Sequence, residues 1–161
     1  MTETPATRAA AESGLDHEVV EYGPVASVEE AAEARGVDLR QVIKTIVVRR
    51  GEGDHVMVLV PGDRVIDWGK LRALLGVSRL SLAAADEAIE ATGYAPGTIT
   101  PFGSSTALPV IADALVTGLV SIGGGAHGVA IHIDAADLIA HFDAEVAEVT
   151  RGSEERVASS E

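Results

Sequence analysis

The sequence predicts an α/β domain, a single mixed, largely antiparallel sheet or partial barrel flanked by helices. Three observations carry this. The chain has 161 residues, enough for one sizeable core and little more. Capped helical segments and β-branched runs follow one another as helix, strand, helix, two strands, two helices, three strands, helix. Several of the strand runs are joined too closely for a helical crossover, and such neighbours pair antiparallel.

The elements follow from local chemistry. Residues 1–13 are polar and Ala-rich and are expected to be a flexible or helical lead-in, with the domain proper at 14–150 and a disordered tail at 151–161. His17 to Tyr22 alternates weakly, as an edge strand does. Ser27 then precedes Val28 to Arg35, with Glu29 and Glu30 in the first turn and Gly36 after the last, which reads as a short capped helix. Val42 to Arg49 and His55 to Val60 are strands joined by a Gly51/Gly53 turn. Asp67 caps a helix to about Leu75, and Ala83 to Ala91 forms another, stopped by Thr92-Gly93. Strands are expected at Leu108 to Ile111, Gly118 to Ile122 and Val129 to Ile133, and a last helix runs from its cap Asp134 to Phe142.

Composition excludes several functions. Acids number 25 against 12 bases, a net charge of −13, so gripping DNA or any nucleic acid by charge alone is not expected. The charge is uneven: residues 35–79 hold nine of the twelve bases against five acids, and Leu80 to Thr150 contains no Lys or Arg. Cysteine is absent, which removes disulfides, thiolate metal sites and a cysteine nucleophile. The five histidines lack the i, i+4 spacing of a zinc helix, so no metal site is expected. Ala114 to Ile133 is free of Asp, Glu, Lys and Arg, but its five glycines suit two buried strands better than a membrane span. With no apolar block in Met1 to Gly14, the expected compartment is the cytoplasm.

Three anomalies remain. Lys44 shares a strand face with Val42, Ile46 and Val48; it either snorkels to an edge or is held to meet a carboxylate, phosphate or carbonyl oxygen. Gly123-Gly124-Gly125-Ala126-His127-Gly128 spells G-x-G-x-x-G, yet a strand follows it where a dinucleotide site needs a helix. Such a run is either a plain hairpin or a turn whose N–H groups converge on an anion, with His127 free to polarise a ligand. Thr92 to Gly103, with Gly93, Tyr94, Gly97, Pro101 and Phe102, is a stiff loop that could wall a small pocket or plug the core. His132 is expected to be exposed, opposite Ile131 and Ile133. No protein nucleophile is evident.

Taken in order, Val42 to Ile46, Thr92-Gly93-Tyr94 with Gly97, Pro101 and Gly103, Leu108 to Ile111 leading to Asp113, and the turn Gly124 to Gly128 resemble the YbaK/prolyl-tRNA-editing-domain family of aminoacyl-tRNA deacylases. The resemblance spans about residues 17–148. It implies hydrolysis of the ester between a wrongly attached amino acid and the 3′ end of a tRNA, of the Cys-tRNA(Pro) or Ala-tRNA(Pro) type, without metal or cofactor. It implies Lys44, Gly124 and Gly125 as catalytic groups. Tyr22, Thr92, Gly93, Tyr94, Gly97, Pro101, Phe102, Gly103, Asp113 and His127 would bind substrate. The implied partners are the acceptor end of an aminoacyl-tRNA and prolyl-tRNA synthetase. Members acting on cysteinyl-tRNA(Pro) have Ser before the glycine loop, Lys-Arg within it and a carboxylate in the next strand. Gly123, Ala126-His127 and Ala130 stand there in this chain, which leaves the amino-acid specificity open and keeps a non-catalytic binding module or synthetase accessory as the alternative.

Overall fold

A computed structural model describes residues 3–152. Helix α1 (Pro5–Ser13) starts at a Thr4 capping box with Pro at its first turn and ends on left-handed Gly14. Strand β1 (His17–Glu21) and helix α2 (Val28–Arg35) follow, the latter capped by Ser27 and stopped by Gly36. A single 3₁₀ turn at Leu39–Gln41 leads into the hairpin β2 (Val42–Gly51) and β3 (Asp54–Pro61). Next come β4 (Arg64–Ile66), α3 (Trp68–Leu75), the two-residue β5 (Ser81–Leu82) and α4 (Ala85–Thr92). The second half contains β6 (Val110–Asp113), β7 (Leu119–Gly123), β8 (Val129–Asp134), α5 (Ala135–Phe142), β9 (Glu145–Ala147) and β10 (Thr150–Gly152).

The main sheet runs β1-β8-β7-β2-β3-β6-β9, with β5 also on β2, while β10 and β4 make a separate pair. It is mixed: β1/β8, β8/β7, β2/β3 and β2/β5 are antiparallel, and β2/β7, β3/β6 and β6/β9 are parallel. The sheet is covered on both faces. Ile43, Val47, Met57 and Leu59 turn to a core shared with α1, α5, Tyr94 and Phe102. Val48, Val56, Val58 and Val60 turn to a second core with Leu71 of α3, Ile66 and Val149. Burial on both sides is why β3 reads as an unbroken apolar run.

Some expectations need correction. Ala6 and Ala10 are wholly buried in the first core, so α1 is part of the domain and no boundary falls at residue 14. The expected tail begins too early, because Arg151 and Gly152 belong to β10 and pair with Val65 and Arg64; residues 153–161 lie outside the described ones. The strand expected at Leu108 starts at Val110 instead. Pro109 has no N–H for a ladder, and its carbonyl accepts the Met57 N–H from the side. Strands β4, β5, β9 and β10 are two or three residues long, too short to show a period. Among the described residues no helix is long and apolar enough to cross a membrane.

Candidate active site

The site begins with a gap in the sheet. On the side away from β3, strand β2 pairs with β7 only at Val42 and Ile43 and with β5 only at Val48 and Arg49. The Val47 carbonyl accepts the Ala83 N–H, so the edge from Lys44 to Ile46 is left without a partner strand. A cavity of about 850 Å³ lies along this open edge. That volume suits a nucleoside-sized ligand better than a free amino acid. It is lined by the segment from Tyr22 to Val28 with Ala31 and Arg35, and by Pro96, Gly97, Ile99, Gly123, His127 and Gly128; the two stretches meet where the Tyr22 N–H donates to the Gly128 carbonyl at 2.9 Å.

Lys44 lines the cavity and is half-buried. Burial lowers its pKa, and the carboxylates of Asp63 and Glu29 oppose that shift. Its Nζ donates to the Arg64 carbonyl at 2.6 Å, which fixes the amine and leaves two of its three N–H donors for a ligand. Thr45 lies beside it with a buried Oγ1 that has no hydrogen-bond partner.

The glycine turn works differently from the expectation. The Gly124 N–H donates to the Val129 carbonyl at 2.9 Å and the Gly125 N–H to the Thr98 carbonyl at 3.1 Å. Both donors are spent inside the protein, and the Gly124 carbonyl accepts from Thr4 Oγ1 at 2.6 Å. Gly124 is glycine because a Cβ there would meet Val129 Cγ1 at 2.5 Å. Among the described residues, the N–H groups of Ala126, His127 and Gly128 have no protein acceptor. The unspent donors are therefore one step further along the turn, where the exposed His127 and the adjoining Gly128 line the cavity.

Of the remaining expected binding residues, Tyr22, Gly97 and His127 line the cavity. The others hold the wall from behind. Tyr94 and Phe102 are 3% and 1% exposed, and the Tyr94 hydroxyl donates to the Phe102 carbonyl at 2.7 Å. That burial pushes the phenol pKa up to about 12. Thr92 Oγ1 donates to the Ala88 carbonyl and accepts the Tyr94 N–H, while Gly93 is the left-handed cap of α4. Pro101 is buried, and Gly103 adopts φ +69° with no room for a side chain. The Asp113 carboxylate accepts the N–H groups of Leu115 and Val149, both at 3.0 Å, and ties two loops together.

One residue of the site was missed in the sequence and one beside it was misread. Arg35 reaches from the end of α2 into the cavity. Its Nη2 donates to the Tyr22 hydroxyl at 3.0 Å and its Nη1 to Ser121 Oγ at 3.3 Å. The second is His132, which is 8% exposed rather than solvent-facing. It sits across the sheet from Ser121 on one side and Glu18 on the other, beneath Arg35. Burial lowers its pKa, Glu18 works against that, and Arg35 adds to it. The only signal for Arg35 was its position in the basic stretch, just before a helix-ending glycine.

A family model described as an aminoacyl-tRNA editing domain matches residues 23–140. Prolyl-tRNA ligase of Thermosipho melanesiensis is 34% identical over 102 residues, which are 63% of this chain and 18% of that ligase. The chain thus spans under a fifth of that relative's length. The multifunctional Ser/Thr-tRNA deacylase ProXp-y of Escherichia coli is 33% identical over 108 residues, 65% of each chain. A solved structure described as a candidate trans-editing enzyme for prolyl-tRNA synthetase superposes with a TM-score of 0.82 at 29% identity, covering 94% of this chain and all of that one.

Proposed function

Because the chain belongs to the aminoacyl-tRNA editing domain family, we propose that its cavity hydrolyses the ester joining a wrongly attached amino acid to the 3′ end of a tRNA. The observation that carries the reading is the cavity on the open edge of β2, lined both by Lys44 and by His127 and Gly128 of the turn, whose N–H groups have no protein acceptor. In this reading a water oxygen attacks the acyl carbon. The carbonyl oxygen gains negative charge and takes hydrogen bonds from the turn N–H groups. The bond to the ribose oxygen breaks, that oxygen takes up a proton, and free amino acid and tRNA leave. An activated ester needs mainly orientation and stabilisation of that oxyanion. Lys44, steadied by the Arg64 carbonyl, is the group that positions the aminoacyl-adenosine end.

Its relatives suggest the substrate. Similarity to prolyl-tRNA ligases and to a Ser/Thr-tRNA deacylase favours a small amino acid, with Cys-tRNA(Pro) and Ala-tRNA(Pro) first among candidates and prolyl-tRNA synthetase as a partner that delivers them. Deacylation of a full aminoacyl-tRNA panel, with and without that synthetase, tests this. The expected result is rapid loss of one or a few small aminoacyl groups, slowed roughly 100-fold in Lys44→Ala. Unchanged hydrolysis in Lys44→Ala sinks the assigned site. Binding of a non-hydrolysable analogue with no turnover of any member makes the protein an acceptor-end binding module instead.

A further inference from the structure

Arg35 is the cavity cation without a counter-charge. Lys44 has the Arg64 carbonyl and the field of Asp63 and Glu29. Arg35 has only neutral acceptors: Ser121 Oγ at 3.3 Å, the Ser121 carbonyl at 3.5 Å and the Tyr22 hydroxyl at 3.0 Å. Its Nε–H is buried with no acceptor, and none of the ion pairs among the described residues includes it. Acids outnumber bases two to one in this chain, so a half-buried guanidinium with no carboxylate beside it is not a matter of supply. Its plane is nevertheless fixed, since Ser121 and Tyr22 hold two of its nitrogens and Cζ lies 5.1 Å from the Tyr22 ring centroid. A guanidinium oriented by neutral groups, with spare donors and a cavity in front of it, is a preformed anion site.

The chemistry of the substrate selects the anion. In an aminoacyl-tRNA the amino-acid carboxyl is esterified and its amino group is cationic, so the anions at that end are phosphodiesters. We propose that Arg35 binds the phosphate on the 5′ side of the terminal adenosine, with the Tyr22 ring beside it as a platform for that nucleoside. The inference rests on the deacylase reading and deepens it, because it defines how much of the acceptor end the cavity takes.

The test uses two probes, 3′-alanylamido-3′-deoxyadenosine with and without a 5′-phosphate, titrated into the full-length protein. Wild type is expected to bind the phosphorylated probe about 10-fold or more tighter, as one charge-assisted pair allows. Arg35→Gln is expected to bind both probes as wild type binds the unphosphorylated one, and Arg35→Lys to keep part of the preference as a point charge. Equal affinity of wild type for the two probes overturns the proposal. So does an equal loss for both in Arg35→Gln and Arg35→Lys, which would make Arg35 a tie between α2 and β7. The two readings separate cleanly: phosphate preference without turnover of any aminoacyl-tRNA removes the deacylase and keeps the phosphate site, whereas turnover without phosphate preference does the reverse.

Discussion

The two walls of the cavity are built on opposite plans. The wall from Thr92 to Gly103, with the glycine turn beside it, closes on itself: Thr92, Tyr94, Thr98, Thr100 and Phe102 are all buried, and their polar groups bond within the loop or to the end of α4. The other wall, from Tyr22 to Arg35, is loose by comparison. Its apolar Val25 is exposed, and Tyr22 and Arg35 line the cavity, Arg35 supplying charge. One wall fixes shape and the other offers chemistry, so substitutions in the first should cost stability and those in the second should cost recognition.

The largest stability effect is expected from Gly103→Ala. A Cβ there would meet the Pro5 carbonyl oxygen at 2.5 Å and the Tyr94 hydroxyl at 2.6 Å, and φ is +69°. Left-handed strain contributes about 1–2 kcal/mol, and displacing α1 from the wall brings the expected loss to roughly 3 kcal/mol or more. Chemical denaturation measures it. A loss under about 0.5 kcal/mol, the range of an ordinary surface change, would mean that the wall is not rigid.

Tyr94→Phe comes next. It leaves the buried Phe102 carbonyl without the Tyr94 hydroxyl, for an expected cost of about 1–3 kcal/mol. The same phenol gives a pH signature. Its folded pKa is raised to about 12 from the ordinary 10.0 of a phenol, so its contribution is complete below pH 10 and fades as pH rises toward 12, where the unfolded chain has already lost the proton. Wild type should therefore lose stability faster than Tyr94→Phe over that window. Parallel curves would place the hydroxyl in water.

This contrast explains what could be read in the sequence. The glycines, prolines and aromatics of residues 92–103 and 123–128 were conspicuous because backbone constraint demands unusual residue types. They mark the stretches that line and back the cavity, but most of them are packed into its wall. The helices were legible from caps such as Ser27, Asp67 and Asp134, and Lys44 from its apolar strand. Nothing local could announce that the Gly124 and Gly125 donors are spent on Val129 and Thr98, since those are tertiary pairings. Arg35 and His132 looked like surface residues for the same reason: Arg35 meets Ser121 of β7, and His132 lies against β1 and Arg35 of α2, all far away in the chain.

The smallest effect should come from beneath the loose wall, at His132. Its Nδ1 is 3.8 Å from Glu18 Oε1, its Nε2 is buried without a partner, and Arg35 faces it from α2 with the neutral Ser121 alongside. Burial, the largest cause, depresses the folded pKa below the ordinary 6.5 of an imidazole, with Glu18 opposing and Arg35 reinforcing. The unfolded chain then takes up this proton first as pH falls below about 6.5, so stability drops through that window and levels off once the folded form also protonates. His132→Gln removes this component. Melting temperatures at about pH 7.5 and pH 5.5 should therefore differ less in the variant than in wild type. Because a protonated His132 would face Arg35, Arg35→Gln should also shrink the wild-type difference. An unchanged difference in both variants would mean that Glu18 screens the imidazole completely, and the polar row under the loose wall would then be electrostatically silent.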